Sequence, residues 1–207
     1  MKKDILIITR NFPPIIGGME KLMWHAFLNL SEHYCITLIG PKGSSRFVEA
    51  PHQCIECDEE SAARFLLQAA LQGAKACANK RFALCVGGSG VVGPVCRLLQ
   101  VTYRVPTLMF LHGLDIVADN FIYQKLFLPC LRKANHVISN SQNTCRLATE
   151  AGIDRQKISI INPGVEIPFA NSKKSDIRNQ LDLQGAPVIL SVGRLIQRKG
   201  VLSFIEN

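Results

Sequence analysis

The 207-residue chain contains no apolar window long enough to span a bilayer, which argues against a helical membrane segment. Aromatics are few, with one tryptophan and three tyrosines. The basic residues never gather into a dense run and never alternate with aromatics, so a nucleic-acid groove is not supported. No internal repeat and no low-complexity segment is present. The opening "MKKDILIITR" holds only a short apolar run, cut by Asp4 and Arg10, and no small-residue cleavage site follows. It reads as a first strand rather than a signal peptide, and the expected location is the cytoplasm.

A metal centre is also missing. Cys54 and Cys57 form one "CIEC" with His52 nearby, but a zinc site needs four ligands and no second Cys or His pair stands at a suitable spacing. Cys35, Cys77, Cys85, Cys96, Cys130 and Cys145 lie within apolar runs, where free cysteine acts as a small hydrophobe. Neither a metal nor a redox role is expected.

What is present describes a globular protein: 47% hydrophobic and 19% charged residues, with a formal net charge of +8. That charge is compatible with phosphorylated small molecules or anionic lipid, and its dispersal reads first as a solvated basic surface. Peripheral contact with an anionic membrane stays open.

Short apolar strands alternate with helical stretches, the pattern of a mostly parallel sheet covered on both faces. Strands are expected near Asp4–Thr9, Cys35–Ile39, Phe82–Val86, Thr107–Leu111, His136–Ser139 and Ile158–Ile161. Helices are expected near Gly18–Ser31, Ser61–Ala78, Val91–Val101, Phe121–Ala134 and Gln142–Glu150. The fold class is therefore α/β, a Rossmann-like doubly wound sheet. After Ile161, "NPGVEIPFANSKKSD" reads as a linker. "APVILSVG" then restarts the alternation with a strand at Val188–Val192. The expected organisation is a domain over 1–165, a linker and short helix over 166–184, and the first strand-helix unit of a second domain over 185–207.

Loops that follow strands in such a sheet open on one edge, where ligands bind. In "TRNFPPIIGGMEK" the pair Gly17-Gly18 lets backbone N–H groups approach a ligand at a helix start, or simply begins a helix. Gly88 to Gly93 spell a literal G-x-G-x-x-G, the dinucleotide fingerprint, without the acidic residue expected after the next strand. Close packing of small residues explains it equally well. In "MFLHGLDI", His112 and Asp115 stand just past a strand end. They suit hydrogen bonds to hydroxyls, or a buried histidine and a helix cap. "SNSQNT" reads mainly as a cap. In "SVGRLIQRKG", Arg194 and Lys199 precede a helix start and suit a diphosphate that gains charge as a bond to it breaks.

Together, "NFPPIIGGMEK", "LHGLD", "ISNSQNT", "IINPGVE" and "ILSVGRLIQRKG" resemble, in order, the motifs of retaining glycosyltransferases of family 4, which have the two-domain GT-B fold. The resemblance implies transfer of a sugar from a nucleotide-sugar to an acceptor (a sugar, glycolipid or polysaccharide) with retention of configuration and without metal or other cofactor. It implies work in glycan, lipopolysaccharide or glycolipid biosynthesis. By position, Gly17 and Gly18 would lie against the donor diphosphate, with His112 beside the transferred sugar. Asn11 and Asp115 would contact sugar or acceptor, and Arg194 and Lys199 would neutralise the leaving diphosphate. The glutamate-bearing segment that holds the nucleotide has no counterpart here. The second Rossmann-like domain is thus expected to be truncated and the 207-residue chain inactive alone. A non-catalytic binding remnant is the first alternative, and a dinucleotide-dependent oxidoreductase the second.

Overall fold

The structure, a computed structural model, describes residues 2–113, 116, 121, 123–165, 180–183, 187–193 and 200–205. The chain divides into two compact units, Met1–Gly164 and Val165–Asn207.

The first unit is built on seven parallel strands in one sheet. In chain order these are β1 (Lys3–Ile8), β2 (Tyr34–Pro41), β3 (Gln53–Cys57), β4 (Leu84–Gly87), β5 (Thr107–Leu111), β6 (His136–Ser139) and β7 (Ile158–Ile160). Their order across the sheet is β3-β2-β1-β4-β5-β6-β7, so the winding reverses between β1 and β4. The helices are α1 (Gly18–Ser31), α2 (Ala62–Asn79), α3 (Gly93–Tyr103), α4 (Leu128–Arg132) and α5 (Gln142–Glu150). This is the Rossmann-like α/β architecture that the alternating pattern predicts.

Strand β1 shows why the sheet is buried on both sides. Side chains alternate across a strand, and here both sets are apolar. Leu6 and Ile8 enter one cluster with Phe65 and Ala69 of α2 and Val95 and Leu99 of α3. Ile5 and Ile7 enter the other with Met23 and Phe27 of α1. Each such side chain contributes about 1.5–3 kcal/mol by leaving water, and the sheet is locked between helices.

Three expectations are corrected. β3 was not foreseen, because "QCIEC" is short and broken by the polar Gln53 and Glu56. It pairs with β2 at the sheet edge, where Thr37 is opposite Gln53 and Pro41 opposite Cys57. The expected helix Phe121–Ala134 is not regular: Tyr123–Phe127 forms a π-helical turn ahead of the five-residue α4. Pro129 explains it, since it has no N–H for Lys125 and its ring crowds that carbonyl, so the turn widens. In the second unit, residues 187–193 form no strand and Ile189, Leu190 and Val192 are exposed. A strand needs a neighbour to hydrogen-bond, and no partner strand is found among the described residues of that unit. A short helix, α6 (Val201–Ile205), does form.

Candidate functional site

The reversal between β1 and β4 opens a crevice at their carboxyl ends, the position at which open α/β sheets bind ligands. A cavity of about 380 Å³ lies there, within the roughly 300–1,000 Å³ of small-molecule pockets. Its polar lining is Arg10, Asn11, Glu20, Glu59 and Ser89, and its apolar wall is Ile15, Met19 and Val91.

The loop after β1 is pinned from beneath. Phe12 is fully buried, and its ring meets Trp24 and Phe27 of α1 edge-on at 5.6 Å. Ser44 Oγ donates to the Pro13 carbonyl at 2.9 Å. The Thr9 hydroxyl accepts from Asn11 N–H at 3.0 Å, closing a tight local turn. With its base fixed, the loop presents Arg10 and Asn11 to the cavity. Arg10 Nη2 donates to the Glu59 carbonyl at 2.9 Å, and Glu59 Oε2 accepts from the Lys42 backbone N–H at 3.1 Å. The loop after β3 is thereby tied to the loop after β1.

Glu20 lies in the first turn of α1 and is buried, with Asn11 Nδ2 donating to its Oε1 at 2.8 Å. A carboxylate suits the positive end of a helix. It also explains Gly17, where a Cβ would collide with Glu20 Oε2. Gly17 has an extended backbone, φ 173° and ψ 172°, so the need for glycine there is one of space. A Cβ on Gly18 would meet nothing within 4 Å. Gly18 is thus the glycine whose backbone stands open.

The loop after β4 is set by close approach. Gly88 N–H donates to the Ile8 carbonyl at 2.9 Å, and a Cβ on Gly88 would strike Thr9. Ser89 follows, 3% exposed, at the N-cap position of the 3₁₀ turn Gly90–Val92. Its hydroxyl makes no cap hydrogen bond, and its Oγ is buried without a partner, as is Arg10 Nε. Serine at an N-cap ordinarily satisfies a backbone N–H. Here two buried polar atoms, belonging to residues that line the cavity, are unpaired.

His112 follows β5 and is 5% exposed, with Nε2 3.1 Å from the Gly88 carbonyl. A carbonyl only accepts, so Nε2 carries the proton. The ring holds the Gly88 loop in place and is not among the residues lining the cavity. Ser141 caps α5, its Oγ accepting from Thr144 N–H at 3.1 Å, which accounts for "SNSQNT". Asp115, Arg194 and Lys199 lie outside the described residues.

The glycines of the G-x-G-x-x-G run also have packing causes. Gly88 abuts Thr9, and a Cβ on Gly93 would stand 3.2 Å from Leu131 Cδ2. In "CIEC", Cys54 faces the α1 side of the sheet and Cys57 the α2 side, so the two thiols cannot share a metal. Among the described residues no group of three or more His, Cys, Asp or Glu could hold a metal ion, and no helix is long and apolar enough to cross a membrane.

Structure thus brings together Asn11 and the Gly17-Gly18 helix start, with Glu20 between them. Arg10, Glu20, Glu59 and Ser89 were not singled out in the sequence. Three of them had a signal: Arg10 directly follows an expected strand, Ser89 stands three residues past the end of another, and Glu20 is the lone acid of the first helical turn. Glu59 had none, because the strand that precedes it was unread.

A parallel sheet that reverses beside a polar crevice defines a Rossmann-like α/β protein with a candidate ligand site at its switch point. Residues 16–168 match the family described as Glycosyltransferase Family 4. The chain belongs to that family. Comparison with curated proteins finds no significant match. Among solved structures it is similar to Anabaena Alr3699/HepE in complex with UDP-glucose, with a TM-score of 0.72 and 17% identity over 98% of this chain and 56% of that one. It is similar to sucrose-phosphate synthase from Thermosynechococcus elongatus, with a TM-score of 0.70, 18% identity, and coverage of 99% and 59%. The apo lipopolysaccharide outer core galactosyltransferase WaaB matches at a TM-score of 0.58 and 14% identity, over 79% and 46%. At such identities the likeness is one of fold, the Rossmann-like half of GT-B glycosyltransferases. The chain spans little more than half the length of the first two structures.

Proposed function

We propose that this chain is the acceptor-side half of a retaining, metal-independent glycosyltransferase that takes a sugar from a nucleotide-sugar, in the making of a glycan, lipopolysaccharide or glycolipid. The observation that carries the reading is the polar crevice at the β1–β4 reversal in a chain of glycosyltransferase family 4. Solved relatives of the same fold hold UDP-glucose or UDP, which favours a nucleotide-sugar donor.

In this reading the open backbone of Gly18 lies against the donor diphosphate, and Gly17 holds that helix start over Glu20. His112 fixes the loop that faces the transferred sugar, and Asn11 and Asp115 contact sugar or acceptor. Arg194 and Lys199 supply the positive charge that stabilises the departing diphosphate, the role a metal ion takes elsewhere. Residues 1–165 bind the acceptor, 166–184 link, and 185–207 begin the nucleotide-binding part. The 207-residue chain alone turns over little donor. The chain works in the cytoplasm, where its net charge of +8 permits peripheral contact with an anionic membrane surface.

The test begins with the intact mass of the native protein from its source cells, followed by incubation with a panel of nucleotide-sugars and acceptors. Release of nucleoside diphosphate with product of unchanged anomeric configuration is expected in the presence of EDTA. Arg194→Ala and Lys199→Ala should each lower kcat by about 10²–10³. No turnover of any donor, or tight binding of NADH instead, would overturn the reading.

A further inference from the structure

We infer that a second cavity of the first unit, at the end of the sheet opposite the crevice, binds a small organic carboxylate. Its ligand carries an apolar ring or chain and a hydrogen-bonding group. The inference goes beyond the transferase reading and does not rest on it.

The cavity holds about 430 Å³, within the range of small-molecule sites. It lies where α2 ends over the amino-terminal part of the sheet: Gln53 opens β3, Phe82 precedes β4 and Lys80 follows α2. It shares no lining residue with the crevice.

Thr37 is the residue that packing alone does not explain. In register it stands between Leu6 of β1 and Gln53 of β3, and it is 3% exposed. Its hydroxyl has no hydrogen-bond partner among the described residues. Valine would fill the same space without burying a hydroxyl. Unlike Ser89 Oγ and Arg10 Nε, this hydroxyl is not sealed off. Thr37 lines the cavity, so the little surface it keeps opens there. The side-chain amides of Gln53, Gln72 and Asn79 line the same space, also without partners among the described residues. Each amide offers both a donor and an acceptor.

Charge then selects the ligand. Among the described residues no acid lines the cavity, whereas two lysines do. Lys80 Nζ is paired with Asp4 Oδ1 at 2.6 Å. Lys75 is exposed and has no ion pair with a described residue. One uncompensated cation matches one carboxylate. A phosphate dianion would bring more charge than the site balances, and the lining has no arginine fork to grip it. The carbonyl end of α2 disfavours an anion, but the Lys80 N–H already covers the Ala76 carbonyl at 3.0 Å. Ile55, Ala76 and the buried Phe82 form the apolar part of the lining, against which a ring or chain can lie.

The test is a titration of the ¹⁵N-labelled 207-residue chain at pH 7.5 with 4-hydroxybenzoate, its neutral isostere 4-hydroxybenzamide and phenyl phosphate, followed by amide chemical shifts. The benzoate is expected to bind with a Kd on the order of millimolar, moving the signals of Thr37, Gln53 and Lys75 and not those of Asn11 and Ser89. The benzamide should bind at least about five-fold more weakly, and phenyl phosphate no tighter than the benzoate. Lys75→Gln should abolish the preference for the benzoate over the benzamide. Thr37→Val should weaken the benzoate by roughly five-fold, the share of one hydrogen bond, with thermal stability equal or higher because an unpaired hydroxyl is removed. Shifts at the crevice instead, equal binding of the benzamide, or a Lys75→Gln chain that keeps its preference would each overturn the assignment. Tighter binding of phenyl phosphate would overturn the choice of carboxylate.

Discussion

The Oε2 of Glu20 occupies the space that a side chain on Gly17 would need. Gly17 is extended, so no backbone strain enters, and the obstruction is the end of a flexible side chain. Gly17→Ala is therefore expected to cost only about 1 kcal/mol, at the low end of overpacking. It should push Glu20 off Asn11 and disturb the crevice. Gly18→Ala, with open space at a helical position, should be neutral or stabilising by up to about 1 kcal/mol. Urea midpoints of the two variants check the contrast, and a Gly17 variant less stable by several kcal/mol would contradict it.

Gly88 behaves differently. The atoms in its way belong to Thr9, a β-branched residue buried where β1 ends, and these cannot swing clear. Gly88→Ala should destabilise by about 1–3 kcal/mol, more than Gly17→Ala. A midpoint within error of the parent would show that the β1–β4 contact is looser than described.

His52 makes stability depend on pH. Its Nδ1 accepts the Ile36 N–H at 3.1 Å, and its ring packs edge-on to Phe27 at 5.7 Å. Burial, and then the charge of Lys2, hold its pKa below the ordinary value. The folded chain thus favours the neutral ring, and the unfolded chain binds more protons. The stabilising contribution is complete above about pH 6.5, the unfolded value, and is lost as pH falls through the lower folded value. Urea midpoints should fall between about pH 7.5 and 5.5, and less steeply for His52→Gln. Identical slopes for the two proteins would exclude the effect. Glu56 and Asp58, held below their usual range first by hydrogen bonds from Ser45 and Glu60, act only at lower pH.

The "CIEC" thiols should be inert. Burial raises Cys54 to about 12, helped by the Glu56 charge and Cys57, and burial raises Cys57 to about 11. Little thiolate is present at neutral pH, and thiolate is the reactive form. Mass spectrometry after brief iodoacetamide treatment at pH 8 should find both positions unmodified in the native chain and modified in urea. Rapid native labelling would reopen a redox role.

Strands whose two faces are both buried could be read directly. β1, β2, β4 and β5 carry apolar residues at consecutive positions, because helices cover both sides of the sheet. β3 escaped notice for the opposite reason. It is an edge strand bonded to β2 alone, and its half-exposed "QCIEC" needs no apolar run. With β3 unread, the loop after it was not counted among the sheet's ligand-facing loops, and Glu59 went with it. Residues 187–193 erred the other way, apolar enough to suggest a strand but without a neighbour that could bond one.

The sequence by itself determined the α/β class, the family motifs and the edge of the sheet on which ligands bind, because each depends on local periodicity and on residues adjacent in the chain. It also placed Asn11, Gly17, Gly18 and His112 on that edge. Only the tertiary structure decided what they do there. Glu20 and Gly17, Arg10 and Glu59, and His112 and Gly88 are pairs made by packing, between loops up to about fifty residues apart in the chain. The order in which strands line up, with β4 crossing back beside β1, brings Ser89 and Arg10 into the lining of one cavity. Hydrogen-bond satisfaction is a property of a folded neighbourhood, and no spacing of letters carries it.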